Sequence, residues 1–106
     1  MPRYALPETA FPVSNDMDAG LKFYAEGHYT AAIYCYRLAL SRDPESALGH
    51  YLMGLTLMAL GDPISARAEW EAASCSEDAT PQTVWASSRA RLLLEHVLKG
   101  SQIQSG

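Results

Sequence analysis

The chain has 106 residues, which allows one small hydrophobic core and excludes two independent ones. With 48% hydrophobic and 19% charged residues it has an ordinary globular balance, which argues against wholesale disorder. A net charge of −4 leaves no basic stripe to displace the counterions of a nucleic acid. Lys and Arg are scattered, and the one close pair, Arg89 and Arg91, reads as a solvated helix face. Two cysteines, Cys35 and Cys75, lie far apart without a CxxC pattern, so neither a disulfide framework nor a zinc site is expected. The start MPRYALPETAFPVSND lacks the apolar run of a secretory signal, and no segment approaches the roughly twenty apolar residues that span a bilayer. A soluble cytoplasmic protein is the expectation.

In chain order, residues 1–12 read as an extended leader, with Pro7 and Pro12 favouring open backbone and Tyr4, Leu6, Phe11 and Val13 as apolar anchors. It is expected to serve as a packed strap, as a ligand for a groove, or as a disordered segment. Ser14, Asn15 or Asp16 can cap a first helix that runs to about Glu26 and stops at Gly27. A second helix covers about Tyr29 to Arg42 and ends before Pro44. The third runs from about Glu45 to Leu60 and breaks at Gly61. Asp62 followed by Pro63 is an N-cap followed by a proline at the first helical position, opening a fourth helix that reaches about Ser74. Thr80 and Pro81 open a fifth, expected to run to about Lys99, with 100–106 as a frayed tail.

These helices repeat. With Gly20 laid on Gly54, GLKFYAEGHYTAAIYCYRLA falls on GLTLMALGDPISARAEWEAA. The identical pairs are Gly20/Gly54, Leu21/Leu55, Ala25/Ala59, Gly27/Gly61, Ala32/Ala66 and Ala39/Ala73, while Phe23/Leu57 and Tyr36/Trp70 keep their type. Small residues and aromatics at matching offsets are what close helix packing requires.

The pattern resembles the tetratricopeptide repeat, a helix–turn–helix unit whose period matches the offset from Gly20 to Gly54. The resemblance implies an all-α fold of five helices in a short right-handed superhelix. Repeat 1 would span 13–46, repeat 2 would span 47–80, and a capping helix 81–99 would complete a single domain over 13–99. It implies that Gly20 and Gly54 mark the close approach of paired helices. Ala32 and Ala66 let each second helix sit close, and Tyr36 and Trp70 fill the aromatic slot. The sequence departs from the pattern where an early aromatic is replaced by Asp16 and His50, and where Pro63 stands at the position of Tyr29. The closing proline of the second unit is also missing.

Nothing in the sequence assembles a catalytic centre. His28, His50 and His96 are dispersed, Glu69 and Glu71 point to different sides of a helix, and GLKFYAEG has the wrong spacing for a phosphate loop. No enzyme activity, cofactor or metal is expected. In the resembled family the first helix of each unit lines a concave face. Carried over, that face holds Met17, Leu21, Tyr24 and Ala25 from the first unit and Leu48, Tyr51, Leu55 and Met58 from the second. Each set follows three- and four-residue steps and so projects from one helical face.

An apolar groove of Tyr and Met suits an apolar helix or extended peptide, since Met adapts its shape and Tyr adds a hydroxyl. The competing reading is that part of this stripe is simply core. The family's carboxylate clamp is absent, because Met17, Leu21 and Leu52 occupy its places. In the fifth helix, Ala86, Ala90, Leu93 and Val97 form the sealing stripe, and Trp85 and Leu92 flank it. The resulting expectation is a non-catalytic module that binds a protein partner as an adaptor, similar in architecture to bacterial secretion chaperones. Its rival is a structural homo-oligomer or homodimer that buries the apolar face by self-association.

Overall fold

Five helices form among the described residues: α1 (Asn15–Ala25), α2 (Tyr29–Arg42), α3 (Ala47–Ala59), α4 (Pro63–Ser74) and α5 (Pro81–Ser105). The computed structural model describes residues 15–76 and 80–105, with side chains through Val97. The leader 1–12, the Ser14 cap and the junction at 77–79 lie outside the described residues.

The helix ends follow local chemistry. α1 and α3 terminate in the same way: Gly27 and Gly61 take φ of 83° and 86°, a left-handed conformation open to glycine without strain. The Gly27 and His28 amides then donate to the Tyr24 and Phe23 carbonyls at 3.1 and 2.8 Å. The Gly61 and Asp62 amides donate to the Met58 and Leu57 carbonyls at 3.0 and 2.9 Å, the same motif one repeat later. α3 starts two residues after the expected Glu45, because the Ser46 hydroxyl accepts from the Gly49 amide at 3.0 Å and so caps the helix. The Asp62 carboxylate accepts from the Ser65 amide at 3.1 Å and caps α4. The Ser65 side chain, and after it this amide, holds the carboxyl below its ordinary pKa.

α5 departs from expectation at its far end. Rather than stopping near Lys99 and fraying, it continues through Gly100 to Ser105. One interior glycine costs a helix only about 1 kcal/mol, and no proline follows to stop it.

Packing between paired helices turns on two contacts. The Tyr36 ring of α2 lies directly on Gly20 of α1, and the Trp70 ring of α4 lies on Gly54 of α3. Either ring would collide with any Cβ built on its glycine. Ala32, Ala39, Ala66 and Ala73, all buried, bring the second helices close enough for this seating. The Trp70 indole N–H donates to the Tyr51 carbonyl at 3.3 Å. Burial raises the Tyr36 phenol pKa, against a smaller pull from the Thr56 hydroxyl. The Thr56 proton goes to the Leu52 carbonyl at 2.9 Å, and the Tyr36 hydroxyl itself meets no partner at hydrogen-bonding geometry. The ring, not the hydroxyl, holds the seat. α3 then packs on α2 as well as α4, and α5 packs on α3 and α4, which closes one continuous core.

A polar clamp ties the second repeat to the preceding turn. His50 Nδ1 lies 2.7 Å from a Glu69 carboxylate oxygen on α4, and Nε2 lies 2.7 Å from the Pro44 carbonyl. Both partners accept, so the doubly protonated imidazolium satisfies both bonds. The bond to Glu69, then Pro44 and the charge of Asp43, raise the His50 pKa against the opposing effect of burial.

Both the glycine seat and the histidine clamp can be tested by stability measurements. Replacing Gly54 with Ala gains about 1 kcal/mol of helix propensity but overpacks against a ring that is 1% exposed, at a cost of about 1–3 kcal/mol. Net destabilisation is expected, read as a lower urea midpoint at unchanged slope. The raised His50 pKa means that its contribution is fully present below the unfolded value of about 6.5 and is lost as pH rises through the folded value. Unfolding free energy should therefore fall from about pH 6 to pH 8 in the wild type and change less in His50→Gln, measured by denaturant titration at each pH.

Candidate functional site

Positions 17, 51 and 85 are repeat equivalents on α1, α3 and α5, and so are 21, 55 and 89. The first row is core. Met17 and Tyr51 are buried at 6% and 3% exposure, and Leu48 joins them at 5%, so these three of the expected groove residues do not line a surface. The reason is α5. Its Trp85 packs edge-to-face on the Tyr51 ring with centroids 5.5 Å apart, covering what two repeats alone would leave open. Arg89 in turn places its guanidinium 5.3 Å from the Trp85 ring centre. Burial raises the Tyr51 pKa, and the Arg89 charge opposes that shift.

The remaining four expected residues stay half-buried. Leu21, Tyr24, Leu55 and Met58 pack against the core from its edge, and Ala25 is exposed. Tyr24 also meets the Tyr29 ring of α2 at 5.5 Å between centroids. The structure thus narrows the candidate surface to Leu21 and Tyr24 on α1 and Leu55 and Met58 on α3. Trp85 and Arg89 of α5 belong to the same register. Sequence reasoning does not place Arg89 there; its position one repeat period beyond Leu55 is the available signal.

Chemically, these four side chains are largely apolar, and Arg89 over the Trp85 ring puts a cation in the same register. Among the described residues, no group of three or more His, Cys, Asp or Glu side chains is placed to hold a metal. No helix among them is long and apolar enough to cross a membrane.

A family model described as TPR repeat matches residues 20–61. That stretch is tetratricopeptide repeat. The match begins at Gly20, takes in all of α2 and α3, and ends at Gly61, so it covers one complete period and the start of the next. The tetratricopeptide register continues beyond it through Trp70 seated on Gly54. No match was found among curated proteins or among solved structures.

Removing the cover on Tyr51 tests the role given to α5. Trp85→Ala should destabilise the protein by about 2–4 kcal/mol, somewhat below a fully buried tryptophan because Trp85 is only half-buried. The same variant should increase quenching of tyrosine fluorescence by an added solute, as Tyr51 becomes accessible.

Proposed function

We propose that the chain is a non-catalytic protein-interaction module that holds an apolar peptide or helix of a partner protein, as an adaptor or chaperone-like subunit. Tetratricopeptide repeats generally mediate protein–protein interaction, and residues 20–61 match that family. The finer reading rests on Leu21, Tyr24, Leu55 and Met58. They are apolar, half-buried and repeat-equivalent in two pairs, 21 with 55 and 24 with 58. A partner side chain laid across them would complete the burial each has begun, at about 25 cal/mol per Å² of apolar area removed from water. Met58 adjusts to irregular ligands and Tyr24 offers a hydroxyl at the rim. Met17, Leu48 and Tyr51 act beneath as the rigid floor.

This activity requires no cofactor or metal. Arg89, held over Trp85 and the repeat equivalent of Leu55, favours a partner segment with an acidic residue beside its apolar stretch. The free thiols of Cys35 and Cys75 are in keeping with a reducing compartment such as the cytoplasm.

The test is capture of partners from native extract by wild type and by Leu55→Glu/Met58→Glu, each confirmed folded by circular dichroism. A specific partner should be retained by the wild type and lost by at least tenfold in the double variant, equivalent to about 1.4 kcal/mol or more. Equal capture by both would overturn the assignment. A mass that rises with concentration by light scattering, and that the double variant abolishes, would assign the face to self-association instead.

A further inference from the structure

In both repeats one row of the first helix is covered by the second helix. On α1 the row is Asp16, Gly20 and Tyr24, which meet Arg42, Tyr36 and Tyr29 of α2 in antiparallel order. On α3 the equivalent row opens with His50 and Gly54, which meet Glu69 and Trp70 of α4. One further repeat period along the chain, the equivalents on α5 are Val84, Ser88 and Leu92. All three are exposed, Val84 at 50% and Leu92 at 62%. α5 packs on α3 and α4 as α3 packs on α2, so it occupies the place of a first helix in a third repeat.

α5 does not turn back where the earlier first helices do. Both earlier first helices end at a left-handed glycine, Gly27 and Gly61. The equivalent position on α5 is Glu95, and the helix runs straight through it to Ser105. The exposed face of α5 is mixed: Arg91, Glu95 and His96 are polar, but Val84 and Leu92 stand exposed around a small serine where a terminal helix normally turns polar residues outward.

We infer that the Val84–Ser88–Leu92 row of α5 docks an amphipathic helix of another polypeptide, lying antiparallel to α5 and completing a third repeat between chains. Its chemistry is set by the two seams already formed. Tyr36 lies between Ala32 and Ala39, and Trp70 between Ala66 and Ala73, so the incoming helix carries small–x3–aromatic–x2–small with the aromatic opposite Ser88. Among the described residues that pattern occurs on α2 and α4, and on α3 through Ala47, Tyr51 and Gly54, and on all three helices it is already buried, so they do not offer it to a second copy without unfolding. The seams also differ at one end. Asp16 and His50 pair with charged side chains, but Val84 is apolar, so the incoming helix is apolar there too. Ser88 adds a Cβ and hydroxyl where the repeats have glycine, and the aromatic sits correspondingly farther from the helix axis. This surface lies on α5 and does not depend on the Leu21–Leu55 pair, although Tyr24 and Met58 of that face are the repeat equivalents of Leu92.

The probe is a synthetic α2 peptide, residues 29–42, with Cys35→Ala, with Arg42→Leu to make it apolar opposite Val84, and with a hydrocarbon cross-link replacing Thr30 and Tyr34. Both of those positions are exposed on α2 and so lie off the seam. The cross-link offsets the marginal helicity of so short a peptide. Titrated into the ¹⁵N-labelled full chain, it should shift the amides of Val84, Ser88 and Leu92. Ser88→Gly should tighten binding severalfold by restoring the glycine seat, and Ser88→Leu should weaken it by about tenfold or more, as should Tyr36→Ala in the peptide. Shifts confined to Gly20 and its neighbours would mean exchange with the resident α2 and would overturn the inference. So would equal affinity across the Ser88 variants. A wild-type dimer that Ser88→Leu dissociates would assign the row to a second copy and equally overturn it.

Discussion

Each repeat depends on an aromatic ring lying on a glycine. With Tyr36 on Gly20 and Trp70 on Gly54, the two helices of a pair approach until ring and backbone are in direct contact. This is where the close-packing requirement of a protein interior bears hardest, because no side chain stands between. The alanines on either side of each ring follow from it. Ala32 and Ala39, Ala66 and Ala73 are small because anything larger would hold the ring off its glycine. The hydroxyl of Tyr36 gains no partner from this placement, so shape rather than hydrogen bonding selects the residue.

The second requirement is that the chain reverse between the paired helices in few residues. Gly27 and Gly61 meet it with the same pair of amide-to-carbonyl bonds, and the repeat period is the sum of two helices and these turns. Electrostatics adjusts this frame without creating it. Asp16 and His50, equivalent positions in successive repeats, each pair with an opposite charge on the following helix, Arg42 and Glu69, which are not themselves equivalent.

What is legible in the sequence is what depends on one repeat alone. The turns, the caps at Asp62 and Thr80, the seats of Tyr36 and Trp70, and four of the five helix starts are set by neighbours within a few residues or within one helical pair. What is not legible depends on a partner from a later element. Tyr51 sits on an apolar stripe that is indistinguishable, by spacing, from the stripe through Leu55. Only the arrival of Trp85, a full repeat later in the chain, buries one and leaves the other at the edge. Leu48 is core rather than groove because α3 packs on α2, α4 and α5 and so buries more than one face, and Met17 joins the same buried cluster. The length of α5 escapes sequence reasoning because Gly100 resembles a stop, whereas a stop needs the left-handed turn that Gly27 and Gly61 form.

The same dependence explains why α5 is the informative helix for function. It closes the core with Ala86, Ala90 and Trp85, so one side of it behaves as a cap. A cap has no reason to keep a small residue at 88 between two exposed apolar ones, because a solvated helix face gains nothing from valine or leucine there. Keeping the seam register while losing the glycine turn leaves a repeat half-made. Its first helix is rigidly held by α3 and α4, so an incoming helix would find the surface already ordered and would contribute only its own ordering cost. A seam that is apolar at Val84, where the internal seams carry Asp16 and His50, then selects by fit of side chains rather than by charge. That is the opposite of the carboxylate-gripping use of this fold, and it matches the apolar character of the Leu21–Leu55 face on the same molecule.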